Sequence, residues 1–379
     1  MSLFLDTFRQ RRDAMLDLLI KLVTLESCTG DKRGVDRLVA FMESQLTESG
    51  AMSVRRYAQS EVGDFTLAKW NEGAAGKPIL ILGHLDTVYP SGSLDTMPIR
   101  VADGRLYGPG ALDMKAGVLI ALEAIRALRE RQQLPDRPIH MLLTSDEEIG
   151  SPHSEALIRE RAAECELVLV MEPATKEGAI KTWRKGGAKY ALTIEGRSAH
   201  AGSAPQEGIN AIIEFAQQAL EINRLNDLKY GTSVSITRVD GGSAGNVIPA
   251  LVRAHIDARA LSQGALDKLH ADLTNLYPKM PGANVSCVRI AGRPPMERRA
   301  ELFEKAAAIA ERHGLTIDEG GSGGGSDGNF TAAMGVPTLD GLGAHGDGAH
   351  APHEHVIIDS LPRQAALCAA LLLEWTQDI

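Results

Sequence analysis

Apolar positions along the first 180 residues alternate between two rhythms. Phe8, Met15, Leu18, Leu19 and Leu22 recur at helical spacing and predict an amphipathic helix over 6–26; a second covers 34–49. Pro78-Ile-Leu-Ile-Leu-Gly83 is a short, wholly apolar run of the kind a buried strand shows. A helix over 115–131 follows, with Val118, Leu122 and Ile125 on one face, then apolar strands at 139–144 and 167–171. Helices alternating with buried strands predict an α/β fold, a mostly parallel sheet flanked by helices.

The rhythm changes after residue 182. Tyr190, Leu192 and Ile194 alternate with polar residues, and so do 233–239 and 254–259. Helices are expected at about 208–225 and 263–276, and a last strand at 285–290. The order β-α-β-β-α-β predicts an inserted α+β ferredoxin-like domain over 183–294. Beyond Gly292-Arg-Pro-Pro295 the α/β pattern resumes, so 1–182 and 295–379 are expected to form one discontinuous domain. The glycine-rich run 320–326 reads either as a flexible linker or as a tight binding loop, and its place between core elements favours the loop.

Composition narrows the function. Lys+Arg is 40 and Asp+Glu 49, a formal charge of -9 without any basic run, which argues against a nucleic-acid partner. Cys28, Cys165, Cys287 and Cys368 stand apart, so neither a disulfide framework nor a thiolate metal site is indicated. Charges from Asp6 to Lys21 break the first helix as a secretory leader, and no apolar stretch is long enough to span a membrane. A cytoplasmic protein is the expectation.

Five places outside the inserted domain carry metal-type ligands. His84-Leu-Asp86 follows the strand 78–83, and a carboxylate in such a turn can fix the imidazole tautomer. Asp113 precedes a helix, where an N-cap is the plainer reading. Asp146-Glu147-Glu148 follows the strand 139–144, where one carboxylate can bind metal while its neighbour serves as base; a charged turn is the alternative. Glu172 ends an apolar strand and fits a solvated strand end as well. Between 345 and 355 lie four of the chain's 11 histidines, including His350 and His353. Ligands in open α/β sheets gather at the carboxyl ends of strands. Imidazoles and carboxylates together suit zinc, with manganese or cobalt also fitting, and one bridging carboxylate would make a two-metal hydrolytic centre.

The motifs His84-Leu-Asp86-Thr-Val, Gly110-Ala-Leu-Asp113-Met-Lys, Asp146-Glu147-Glu148-Ile-Gly-Ser, Met171-Glu172-Pro, Ser198-Ala-His200-Ala-Gly and His350-x-x-x-Glu354 occur in this order. In this the chain resembles the metal-dependent aminoacylase and carboxypeptidase family. It looks most like its bacterial glutamate carboxypeptidases, with acetylornithine and succinyl-diaminopimelate deacylases as cousins. The resemblance implies two zinc ions bridged by Asp113, one completed by His84 and Glu172, the other by Glu148 and His350. It implies that Asp86 orients His84, that Glu147 is the general base, and that the Asp113–Met114 peptide is cis. His350, four residues before Glu354, has the family spacing; His353 competes for the same place. Gly108-Pro-Gly departs from the more usual Gly-Arg-Gly.

The resemblance further implies a homodimer in which His200 reaches the neighbouring subunit's site to supply an oxyanion donor. Asn246 and Arg259 would hold the substrate end, with Arg293 a weaker candidate, and the 320–326 loop would line that pocket. The expected function is zinc-dependent hydrolysis of an amide bond in an N-acyl amino acid or peptide, releasing a C-terminal residue, glutamate first. Alternatives are an N-deacylase of a small acylated amino acid and a metal-binding protein without hydrolysis.

Overall fold

A computed structural model describes residues 3–376. The chain divides into two compact units. One takes the chain up to Trp183, Arg298–Ser322 and Ser326 onward; the other takes Arg184–Glu297 and Gly323–Gly325. The linear pattern assigns those three glycines to the outer segments; in the structure they belong with the inserted one.

The larger unit is built on a six-stranded sheet. Its order is Ser53–Tyr57, Phe65–Trp70, Ile139–Thr144, Ile79–His84, Leu167–Val170, Thr338–Leu339. The last four strands pair in parallel, while the first two join antiparallel at one edge. The central strands read as unbroken apolar runs because both faces are covered. Ile79, Ile81, Met141 and Leu169 enter one core with helices Leu3–Thr24, Ala116–Glu130 and Ser360–Glu374. Leu80, Leu82, Leu142 and Val168 point the other way, onto Ile158 and Ala162 of helix Glu155–Ala163. Helices on both faces of a mostly parallel sheet are the fold class expected.

A glycine sets how closely helix and sheet pack at one point. A side chain at Gly117 would meet the Met171 carbonyl oxygen at 1.8 Å. Only glycine lets helix Ala116–Glu130 lie this near the end of strand Leu167–Val170. The segment before the helix is thereby brought beside the segment after the strand.

The second unit has the sheet order Ser233–Gly241, Leu251–Ala260, Gly186–Glu195, Asn284–Arg293, antiparallel throughout. Helices Ala211–Asn223 and Gln263–Thr274 bury Ala211, Ile222, Leu266, Leu269 and Leu273 with Tyr190, Leu192, Val252 and Ile256. This is the ferredoxin-like order. Among the described residues no helix is long and apolar enough to cross a membrane.

Candidate metal centre

Three neighbouring parallel strands deliver acidic or imidazole side chains from their carboxyl ends. Ile79–His84 ends in His84 itself. Glu147 and Glu148 occupy the 3-10 turn after Ile139–Thr144, and Glu172 lies two residues beyond Leu167–Val170. Asp113 comes from the turn Ala111–Lys115, which leads into the helix that Gly117 allows close. It is not an N-cap: Lys115 holds that place, and Asp113 has extended backbone angles, φ -113 and ψ 97. The Asp113–Met114 peptide is cis.

These residues form two groups that could hold a metal ion, His84–Asp113–Glu172 and Asp113–Glu148–His350. Asp113 is shared, with one oxygen turned to each. Its Oδ1 lies 3.3 Å from His84 Nε2, and its Oδ2 lies 3.3 Å from His350 Nε2. Glu172 Oε1 stands 3.5 Å from His84 Nε2, and Glu148 Oε2 3.2 Å from His350 Nε2. His84 Nε2, Asp113 Oδ1 and Glu148 Oε1 are nevertheless buried without a hydrogen-bond partner among the described residues. Orphaned buried polar atoms are costly. Two donors on a tetrahedral ion with bonds of about 2.0–2.1 Å stand about 3.3–3.4 Å apart. The orphaned atoms, the donor types and the spacing all fit a divalent cation in each group.

The electrostatics agree. Burial alone would drive the proton off His84, but Asp113, Asp86 and Glu172 outweigh it and hold its pKa well above the usual value. Asp113 and Glu148 lift His350 to about 10. Burial would raise Asp113, yet His350 and His84 hold it below the usual carboxylate range. Burial lifts Glu148. Three carboxylates around two imidazoles leave surplus negative charge that cations would neutralise.

Two details refine the sequence reading. His84 Nδ1 makes its closest contact, 3.0 Å, with the backbone carbonyl of Asp86, while the Asp86 carboxylate stands at 3.4 Å. With Nδ1 donating, Nε2 is the nitrogen that would give up its proton and turn a lone pair to a cation in the group. The buried Asp86 carboxylate accepts from Thr29 Oγ1 at 2.8 Å and from the N–H groups of Glu147 and Glu148 at 3.3 and 3.2 Å. It therefore ties the His84 strand to the 147–149 turn. His350, not His353, joins Asp113 and Glu148; His353 is exposed and belongs to neither group. His350 adopts φ 63, an unusual conformation for a non-glycine residue. Glu147 is half-buried and belongs to neither group.

Sequence reasoning missed the supports. Thr29 is one. Asp327 is another, accepting from Ser151 Oγ and, at 3.4 Å, from Thr144 Oγ1, one on either side of the glutamate turn. No local pattern announces contacts that cross 176 and 183 residues.

The remaining candidates lie in the second unit. His200 is exposed, and its Nδ1 accepts from the N–H groups of Gly202 and Ser203, each at 3.1 Å. Asn246 is its neighbour, its carbonyl accepting from Ala201 N at 2.9 Å. Arg259 and Arg293 both pair opposite Gly187, one from each adjoining strand. Arg259 donates to Asp257 through Nε and Nη2 at 2.8 and 3.2 Å, and to the Gly323 carbonyl at 2.8 Å. The glycine run is no loose linker: Glu319–Ser322 pairs with Ile180–Arg184, and Arg184 donates to the carbonyls of Gly324 and Gly325.

The model of Peptidase family M20/M25/M40 matches residues 80–374. The chain belongs to this family. It is a metallohydrolase. Among its relatives, Carboxypeptidase G2 of Pseudomonas sp. (strain RS-16) is 32% identical over 370 residues, covering 95% of this chain and 89% of that one. Succinyl-diaminopimelate desuccinylase of Thioalkalivibrio sulfidiphilus is 29% identical, covering 94% and 97%. The crystal structure of aminopeptidase PepT from Bacillus cereus superposes with a TM-score of 0.77 at 25% identity, covering 96% of this chain and 98% of that one.

Proposed function

We propose that this metallohydrolase carries two zinc ions and cleaves an amide bond to release a C-terminal amino acid, glutamate first among the candidates. The observation that carries this reading is the Asp113 carboxylate, which turns one oxygen to each of two groups in which His84 Nε2, Asp113 Oδ1 and Glu148 Oε1 are buried without a hydrogen-bond partner among the described residues. His84 and Glu172 would hold one ion, and Glu148 and His350 the other. When bound, such ions would polarise the scissile carbonyl and lower the pKa of the attacking water.

The chain's own residues divide the remaining work. Glu147 adjoins a ligand and belongs to neither group, which suits a base. It accepts the proton of the attacking water and delivers it to the departing nitrogen. Asp86 fixes both the His84 ring and the turn that carries Glu147. In His200, two backbone N–H groups occupy Nδ1, so the proton resides on Nε2 and can be donated to a developing oxyanion. Arg259 and Arg293, flanking side-chain-free Gly187, suit a substrate carboxylate, with Asn246 beside His200 holding the same end.

Residues 1–182 and 295–379 would thus be the catalytic domain, and 183–294 a lid and dimerisation domain. A homodimer through the latter is supported by the exposed Ile212, Ile213 and Leu220 of helix Ala211–Asn223 and by the edge strand Ser233–Gly241.

A second reading, N-deacylation of a small acylated amino acid, is favoured by the desuccinylase relatives. Product analysis with zinc supplied separates the two. Free glutamate from N-acyl-glutamates or dipeptides supports carboxypeptidase action. Succinate or acetate from acylated diamino acids, with acyl-glutamates untouched, would favour the deacylase. Absence of turnover on both sets would overturn both readings.

A further inference from the structure

We infer that Glu354 is a positioning residue for the metal centre: its carboxylate sets the Asp113 turn and so fixes where the shared ligand stands. Glu354 is buried, 1% exposed. Its Oε2 accepts from Gly110 N at 3.1 Å, and its Oε1 accepts from Leu112 N at 2.7 Å and Asp113 N at 3.0 Å. Three donors of one turn thus converge on a single side chain, and its two carboxyl oxygens can accept from all three at once. The bonds cross 241 to 244 residues, so local sequence does not impose this turn geometry.

The same residue anchors the other side of the centre. The Glu354 carbonyl accepts from Gly108 N at 3.3 Å, and its own N–H donates to the Ala351 carbonyl at 3.0 Å, closing the turn after His350. Tyr89, five residues beyond His84, donates its hydroxyl to that same Ala351 carbonyl at 3.1 Å. Segments bearing His84, Asp113 and His350 therefore meet around Glu354. Because Asp113 serves both groups, a displaced Asp113 turn weakens both at once.

This inference rests on the metal-centre reading, and the test separates their failures. Zinc is titrated into metal-free wild type, Glu354→Ala and Glu354→Gln, by calorimetry or chelator competition, and the melting of each metal-free protein is recorded. Loss of a group that orients a ligand costs roughly 10–100-fold in metal affinity. Glu354→Ala is expected to lose that much for both ions. Glu354→Gln keeps one acceptor oxygen for Leu112 and Asp113 but turns an NH2 toward Gly110 N–H, so an intermediate loss is expected. A role in stability alone would lower melting and leave affinity at the wild-type value. Either folded variant binding two zinc ions with wild-type affinity overturns the inference. Should Glu354→Ala not fold, Glu354→Gln alone decides on the same criterion. Wild type that binds no zinc overturns the metal-centre reading itself, and this inference with it.

Discussion

At the scale of single residues, adjacent glutamates are assigned opposite duties. Glu148 belongs to a ligand group and Glu147 does not. Glu147→Ala should therefore abolish hydrolysis while zinc content stays near that of wild type. Asp113→Ala should empty both positions; one ion retained at full affinity would refute the shared role. Away from the centre, Asp64 shows what a paired carboxylate contributes. Burial would raise its pKa, but Lys32 at 2.6 Å, the Gln59 N–H and Arg56 hold it below the usual range. Its stabilisation is present above the unfolded value near 3.9 and is lost as pH falls through the lower folded value. Asp64→Asn should cost about 1–2 kcal/mol at pH 7, and the difference should shrink toward zero in acid. Urea midpoints at pH 7 and pH 3 check this; an equal deficit at both would contradict it.

At the scale of elements, unbroken apolar runs were legible, whereas strand Phe65–Trp70, buried at five of its six positions, was missed because Thr66 and Lys69 interrupt its apolar pattern. Strand Ile139–Thr144 and the neighbouring apolar runs stood out because the sheet covers both their faces. Ser53–Tyr57 was missed: it is an edge strand, Ser-Val-Arg-Arg-Tyr, with three of its five residues exposed. Glu155–Ala163 was missed because it buries only Ile158 and Ala162. The five residues that gather in the two groups were legible as candidates because they lie in short motifs, at strand ends or in turns. The Glu354 cradle was not, since it joins backbone groups to a carboxylate far along the chain. The role of Asp86 was half legible: the short His-x-Asp spacing reveals the ring contact, but not the two N–H groups of the distant glutamate turn. The central sheet also makes a plain energetic forecast. Ile81→Ala would open a void between strand and helices, and it should cost about 2–5 kcal/mol in unfolding experiments. A loss below about 1 kcal/mol would mean that the core repacks around it.

At the scale of the molecule, the proposed donor His200 and the proposed metal ligands belong to different units. In the proposed dimer each active site takes His200 from the neighbouring subunit. His200→Ala should then lower kcat by roughly a hundredfold or more with little change in metal content. Mixing Glu147→Ala and His200→Ala dimers under subunit exchange tests the arrangement. In the mixed dimer one site carries both lesions and the other carries neither, so activity should return. Proven exchange without recovery would place His200 in its own subunit's site.

The division of the chain also bears on its synthesis. Helix Ser360–Glu374 supplies Leu367, Leu371 and Leu372 to the same core that holds Phe8 and Leu19 near the other end. A nascent chain therefore cannot close the larger unit until helix Ser360–Glu374 has left the ribosome. Residues 184–297, whose own core draws on nothing later than Cys287, can fold while the first 183 wait. During that interval the apolar strands that will carry His84, Glu148 and Glu172 lack the cover of helix Ser360–Glu374, and such exposed apolar surface is what makes a partly folded chain prone to aggregate.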